Sequence, residues 1–180
     1  MLETLRRDAA RYRDWGGWWQ HMGFWTVAVW RLSAWARTMP VPGVRYVLMV
    51  LAWLLKQPLR TLLHLELPAR ARIGPGLALF HPYNVLIGSG VVIGEECTIY
   101  HEVTLGAGAV PGHPTLGDHV VVFAGARVFG GITVGERSEI GANCVVTRDV
   151  PPYSLVVAAL PRTIPQALVP RQASTSEGLR

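Results

Sequence analysis

The chain has 180 residues and a mass of 19.8 kDa, with 50% hydrophobic and 16% charged residues and a net charge of +5. This length supports one domain with a sizeable core, and this composition excludes a disordered protein. Two cysteines, Cys97 and Cys144, exclude a disulfide framework, do not form a zinc-binding pattern and fit a reducing compartment. The first residues lack the pattern of a signal peptide, so we expect a cytoplasmic protein.

Charge is distributed unevenly along the chain. Residues 1–65 contain nine Lys and Arg against three Asp and Glu, residues 66–150 contain five against eight, and residues 151–180 contain three against one. A nucleic-acid-binding protein would place its basic residues along one reading face, so we expect no nucleic-acid partner. The basic front of the chain is instead the part that could contact a membrane, which would place the protein at the periphery of the inner membrane.

Residues 1–65 predict a helical region rich in tryptophan. Period-2 alternation is absent from it, and Pro40, Pro42 and Gly43 punctuate predicted helices at about 3–13, 21–38 and 43–64. The aromatic residues before Pro40 include Trp15, Trp18, Trp19, Phe24, Trp25 and Trp30.

Two interpretations of this helical region stay open. The run from Tyr46 to Leu55 is apolar throughout, but it is shorter than the ~20 residues that a membrane span needs. We favour a helix packed in a helical subdomain or an oligomer interface. In the alternative, the region lies on a membrane with its tryptophans at headgroup depth. The cations facing anionic lipid would then be Arg6, Arg7, Arg11, Arg13 and Arg31.

From Ile73 onwards an aliphatic residue recurs every six positions, often followed by glycine, and this repeat predicts the fold. A helix with a period of 3.6 could not keep every sixth residue on one face. The pattern is typical of a hexapeptide β-helix. The repeated residues are Ile73, Leu79, Ile87, Ile93, Ile99, Leu105, Leu116, Val122, Val128, Val134, Ile140 and Val146. The spacing resembles the left-handed β-helix of the hexapeptide acyltransferases, in which three hexapeptides make one triangular coil.

We therefore predict a mainly β protein with three parts. A small helical region (1–65) precedes a left-handed parallel β-helix of hexapeptides (66–165), and a flexible tail (166–180) follows. Two insertions interrupt the repeat, one between Leu79 and Ile87 and one between Leu105 and Leu116. Insertions in a solenoid leave at its corners and often form its working surface, and each of these contains a histidine, His81 or His113.

The third position of the hexapeptide forms a column down one predicted corner. It is occupied by His81, His101, Ala124 and Ala142 in successive coils. The two alanines would leave a shallow groove for a thin ligand such as a pantetheine arm, although small residues would equally suit a tight turn.

Residues 66–165, roughly 60% of the chain, resemble the serine acetyltransferase branch of the hexapeptide acyltransferases. The matching segments are Ile73-Gly74-Pro75-Gly76 followed by His81, Val103-Thr104-Leu105-Gly106, His113-Pro114, Ile140-Gly141-Ala142 and Val150-Pro151-Pro152-Tyr153. The resemblance implies acetyl-CoA as co-substrate, no metal, and a homotrimer with the acyl-donor groove between neighbouring β-helices.

The resemblance also assigns roles to individual residues. His81 matches the general base, Glu66 the acid that orients it, and His113 a second active-site histidine. A base of near-neutral pKa is what acetyl transfer to an alcohol requires. The residues expected at the acetyl-CoA site are Ala124, Ala142, Gly106 and Arg162. His101 lies beside the site by its position in the column, although the family does not rely on a histidine there.

Two departures from the family bear on the acceptor. Phe80 stands where these enzymes place an aspartate for the substrate amino group, and Gly112 stands where they place an arginine for the carboxylate. Without those partners we expect a sugar acceptor in cell-surface polysaccharide biosynthesis, as in the exopolysaccharide and colanic-acid-type O-acetyltransferases. Serine O-acetyltransfer for cysteine biosynthesis is the alternative, and a non-catalytic β-helix scaffold is a second one.

Overall fold

The computed structural model describes residues 1–159, in which three α-helices precede thirteen short strands. The helices are α1 (Leu2–Ala10), α2 (Met22–Ala36) and α3 (Pro42–Leu63), with 3₁₀ turns at Arg13–Trp15 and Trp18–Gln20. The strands are β1 (Arg72–Ile73), β2 (Ala78–Leu79), β3 (Leu86–Ile87), β4 (Val92–Ile93), β5 (Thr98–Ile99), β6 (Thr104–Gly106), β7 (Thr115–Leu116), β8 (Val121–Val122), β9 (Arg127–Phe129), β10 (Thr133–Val134), β11 (Glu139–Ile140), β12 (Val145–Val146) and β13 (Leu155–Val156). The three predicted helices are present, and their bounds shift by three residues or fewer.

The strands form a parallel β-helix of about four turns, which confirms the predicted fold. The first face is the sheet β1-β4-β7-β10, the second is β2-β5-β8-β11-β13 and the third is β3-β6-β9-β12. Each aliphatic residue of the repeat occupies a strand and pairs with the equivalent residue of a neighbouring coil, as Ile93 does with Leu116. These side chains fill the interior of the prism, because a parallel solenoid buries one residue per strand inward.

The helical region caps the first coil of this solenoid. Tyr12, fully buried, accepts a hydrogen bond from the Leu79 N–H (2.8 Å) and donates one to the Leu79 carbonyl (3.2 Å). Arg31 donates to the carbonyls of Ile73 (2.7 Å) and Gly74 (2.6 Å). The first coil has no preceding coil above these strands to pair with its backbone, so side chains supply the missing partners.

A buried ion pair holds the same cap in place. The Arg31 guanidinium forms two hydrogen bonds to the Asp8 carboxylate, at 3.0 and 3.1 Å. Asp8 Oδ1 also accepts from the N–H groups of Gly76 (2.9 Å) and Leu77 (3.1 Å). The carboxylate and the guanidinium thus compensate each other's charge, and each also bonds to the backbone, as a buried ion pair requires.

These contacts correct the interpretation in which five arginines face lipid. Arg31 is buried, Arg7 bonds to Glu95 and Glu96 at 2.8 Å each, and Arg11 bonds to Thr98 at 2.7 Å. Three of those five side chains therefore bind the protein itself.

Helix α3 is the exposed member of the helical region. Of its 22 residues only Ala52 and Leu63 are buried, and it packs against α2. Among residues 1–159 it is the one helix long and apolar enough, by length and composition alone, to cross a membrane. The apolar run Tyr46–Leu55 lies within this helix, which agrees with the helix predicted at 43–64.

Candidate functional site

The predicted column of third-position residues is present on one corner of the prism. This histidine corner is the set of turns that follow the strands of the second face, at 80–85, 100–103, 123–126 and 141–144. His81 and Ala142 are exposed, and His101 and Ala124 between them are half-buried. The turns are in register, because Gly125 N donates to the His101 carbonyl (3.0 Å) and Asn143 N donates to the Ala124 carbonyl (2.9 Å).

His81 and His101 are neighbours along this corner. Their ring centroids lie 6.3 Å apart with the rings nearly perpendicular. His81 has a left-handed backbone with φ of 52°, which turns the chain sharply and leaves its side chain exposed. Nδ1 of His101 is buried and finds no hydrogen-bond partner within residues 1–159. A reactive imidazole at His81 would therefore have a second imidazole beside it, followed along the corner by two solvent-accessible alanines.

An aromatic ladder flanks the histidine column, and the sequence analysis did not identify it. Phe80 stacks on Tyr100 with centroids 5.6 Å apart, and Tyr100 stacks on Phe123 at 5.3 Å. Trp15 of the helical region lies 5.5 Å from Phe80. The signal was available in the sequence, since these three residues occupy the second hexapeptide position in successive coils. The ladder makes one wall of the His81 site apolar.

His113 lies on a different corner of the same chain. The loop corner, between the third and first faces, consists of the turns 88–91, 107–114, 130–132 and 147–149. The His113 ring covers the backbone at Gly88 and Gly90, where an added Cβ would lie 2.8 and 2.5 Å from ring atoms. The third face therefore separates His113 from His81 within one chain.

Other predicted site residues also lie at the loop corner. Gly106 ends β6 and is buried, and its carbonyl accepts from Gly130 N at 2.9 Å. Gly112 has a left-handed backbone with φ of 112°, and an added Cβ would lie 3.1 Å from Gly131. Hence the predicted acetyl-CoA residues are split between two corners of the chain, with Ala124 and Ala142 on one and Gly106 on the other. Arg162 lies outside the described residues.

Glu66 bonds to a helix rather than to a histidine. Its carboxylate accepts a hydrogen bond from Arg60 of α3 at 3.3 Å, and both side chains are more than half exposed. Among residues 1–159, no hydrogen bond joins Glu66 to His81. The role of Glu66 in orienting His81 stays a prediction.

A cavity of about 450 Å³ lies between α2, α3 and the third face. Its walls are mainly apolar, and Trp30, Trp53 and Leu86 contribute to them. Lys56 also lines it and donates to the Leu67 carbonyl at 3.1 Å. Burial, with a smaller effect of Arg37, lowers the pKa of Lys56.

In the described part of the chain the metal-ligating side chains are dispersed and both cysteines lie in the core. Residues 1–159 contain no group of three or more His, Cys, Asp or Glu side chains placed to hold a metal ion. Cys97 and Cys144 are both buried and unpaired. Burial raises the pKa of the Cys97 thiol to about 11, so at neutral pH it stays protonated.

Comparison with known proteins identifies the relatives of this chain. No protein-family model matches it. It is 47% identical over 113 residues to a serine acetyltransferase of Helicobacter pylori (strain J99), a match that covers 61% of this chain and 66% of that protein.

Solved structures of serine acetyltransferases are also similar to this chain. The Neisseria gonorrhoeae serine acetyltransferase in complex with serine has a TM-score of 0.69 and 26% identity, covering 88% of this chain and 66% of that one. The Brucella abortus serine acetyltransferase in complex with coenzyme A has a TM-score of 0.70 and 27% identity, covering 89% and 65%.

The fold and the histidine corner thus define a β-helix protein with the left-handed fold of the hexapeptide acyltransferases. Within that class the chain is a homologue of the serine acetyltransferases. It spans about two thirds or less of the length of these relatives.

Proposed function

We propose that this protein transfers an acetyl group from acetyl-CoA to the hydroxyl group of L-serine. The observation that carries the proposal is the histidine corner, where His81 is exposed at the head of a column that continues into Ala124 and Ala142. Relatives solved with serine and with coenzyme A support both substrates. They favour serine over the polysaccharide acceptor that the sequence alone suggested.

The chemistry at this corner needs one base. Nε2 or Nδ1 of neutral His81 removes the serine hydroxyl proton while that oxygen attacks the thioester carbonyl carbon. The C–S bond then breaks, and coenzyme A leaves as a thiolate that takes the proton back from the imidazolium. Direct attack requires no acyl-enzyme, which agrees with the buried, protonated state of Cys97.

The column offers a place for the acyl donor. Beyond His101 the side chains shrink to the methyl groups of Ala124 and Ala142, both accessible from solvent. A pantetheine arm could lie along these two residues and bring its thioester towards His81. The ladder of Phe80, Tyr100 and Phe123 would form the apolar wall of that path.

His113 reaches such a site only from another copy of the chain. One chain holds His81 and His113 on corners separated by the third face. A homotrimer that sets the loop corner of one copy against the histidine corner of the next would combine them, with His113 stabilising the oxyanion. Isolated monomers should then be inactive.

A sugar hydroxyl is the second candidate acceptor, and Phe80 is the observation that favours it. The Phe80 ring stacks on Tyr100 directly beside His81, at the position that the family resemblance gives to an aspartate. An aromatic face suits the apolar side of a sugar ring better than the ammonium group of serine.

Release of the coenzyme A thiol with different acceptors distinguishes these candidates. Acetyl-CoA with L-serine should release thiol, and His81→Ala should abolish this release. Release only with nucleotide sugars or oligosaccharides would replace serine by a sugar. Equal release by the wild type and His81→Ala would contradict the proposed base, and silence with every acceptor would favour a scaffold.

A further inference from the structure

Helix α3 presents apolar side chains around most of its circumference. A single stripe, which includes Ala52, Lys56 and Leu63, faces α2 and the β-helix. A helix that is apolar on nearly every side is normally enclosed by protein or lipid. The large hydrophobic residues exposed on it are Val44, Tyr46, Val47, Met49, Val50, Leu51, Trp53, Leu54, Leu55 and Leu62.

The charged residues of the segment that contains this helix have one sign. Residues 15–65 contain no Asp or Glu, and their charged residues are Arg31, Arg37, Arg45, Lys56 and Arg60. Arg31 is used in the cap and Arg60 pairs with Glu66, which leaves Arg45 exposed within the apolar part of α3. An apolar surface with cations and aromatic rings complements an anionic bilayer interface, where Trp and Tyr rings settle at headgroup depth.

We infer that α3 lies along the surface of an anionic lipid bilayer and anchors this protein there. The contacts of α3 favour a position along the surface over a transmembrane one. Lys56 bonds to the Leu67 carbonyl, Arg60 bonds to Glu66, and Leu63 is buried in the core. A spanning helix would have to give up these three contacts, whereas a helix in the membrane plane keeps them and buries its outer face in lipid.

Charge also favours lipid over a second copy of the same surface. Two copies packed through α3 would bring Arg45 and Arg37 of each copy together, and the segment 15–65 has no carboxylate to compensate them, while Glu66 already pairs with Arg60. Exposed tryptophans occur elsewhere in the same acid-free segment, as at Trp15, Trp19 and Trp25. The proposed lipid-binding surface therefore consists mainly of exposed apolar residues, and not of the five arginines in the interpretation from sequence.

Flotation of the full chain with vesicles tests this inference. The probe is phosphatidylcholine containing about 30 mol% phosphatidylglycerol, compared with phosphatidylcholine alone. The test variant is Val47→Glu/Leu51→Glu, and the matched control is Val145→Glu/Leu155→Glu. Both variants replace one exposed valine and one exposed leucine, at 64% and 45% exposure on α3 and at 62% and 64% on the β-helix.

The expected result is flotation of the wild type and the control with anionic vesicles, and a partition coefficient at least about tenfold lower for the α3 variant. Wild type that does not float, or an α3 variant that floats as well as the control, would overturn the inference. Masses in solution are measured in parallel. Failure of the wild type to float, with a lower oligomer mass for the α3 variant alone, would identify α3 as an interface between copies. Thiol release is not part of this test. A failure of the membrane-binding inference would therefore not bear on the proposed function.

Discussion

The interior coils of the β-helix form their backbone hydrogen bonds with neighbouring coils, whereas the first coil receives partners from side chains of the helical region in front of it. Inside the β-helix each coil supplies the partners of the next, as when Gly94 N donates to the Leu116 carbonyl at 2.9 Å. At the start of the first coil, Tyr12, Asp8 and Arg31 supply them from side chains. An interior coil therefore needs only the repeated sequence, whereas the first coil of the β-helix needs a specific set of polar side chains held in one geometry.

The largest effect is expected at the histidine corner, which belongs to the β-helix alone. His81→Ala should lower kcat by about 10² to 10⁴-fold, since general base catalysis is worth that much. The melting temperature should stay the same, because the His81 side chain is exposed. His119→Ala is the matched control, since His119 is also exposed and has a left-handed backbone (φ 58°) on another corner. Equal activity of the two variants would remove His81 from the mechanism.

Loss of the buried cap charge should have the next largest effect, and it should fall on stability. Asp8→Asn leaves Arg31 buried without its counterion, which costs about 3–5 kcal/mol in the free energy of unfolding. For a chain of this size the melting temperature should fall by about 10 °C. Asp14→Asn, an exposed acid in the same region, should change it little. If the two variants had the same melting temperature, the cap would not stabilise the first coil.

The loop corner should respond to a single methyl group. Gly88→Ala places a Cβ 2.8 Å from Cδ2 of His113, so the ring must move. Misplacing a positioned group should lower kcat/KM by about tenfold to a hundredfold. Gly43→Ala in α3 meets nothing within 4 Å and should leave the rate unchanged. Steady-state rates of both variants measure the contrast, and an unaltered rate in Gly88→Ala would exclude His113 from the active site.

The smallest effect is expected at Glu66, where the two regions meet. If the assembled protein uses this carboxylate to orient His81, Glu66→Gln should lower kcat without changing the KM for acetyl-CoA. Arg60→Gln removes the partner that Glu66 has in the single chain and should leave kcat unchanged. Matching rates for the two variants would show that Glu66 serves only the exposed ion pair.

The β-helix was predictable because its repeat encodes both burial and register. Ile87 and Leu116 resume the pattern after each insertion, so the strands and the column from His81 to Ala142 could be derived from spacing alone. The helices were predictable as helices, but their orientation was not. Arg7, Arg11 and Arg31 look alike in a sequence, and only the position of the first two coils reveals that all three bind the β-helix.

The site was predictable one corner at a time. Spacing placed His81 in its column and His113 on an insertion, but the number of residues between them does not reveal that the third face lies between. The fifteen-residue separation of Glu66 from His81 likewise did not reveal that Arg60 competes for the carboxylate. Such contacts depend on how helices dock and on how copies assemble, which no local pattern encodes.

At His81 the left-handed backbone lowers stability, whereas the proposed activity requires the imidazole side chain. A side chain at φ of 52° costs about 1–2 kcal/mol that glycine would avoid. His81→Gly should therefore be inactive yet fold at least as stably as His81→Ala, which a denaturant titration can measure. Other turns of the β-helix accept the same strain without a catalytic role, as at His119 and Arg137, so the fold tolerates a left-handed side chain at the position where an imidazole is useful.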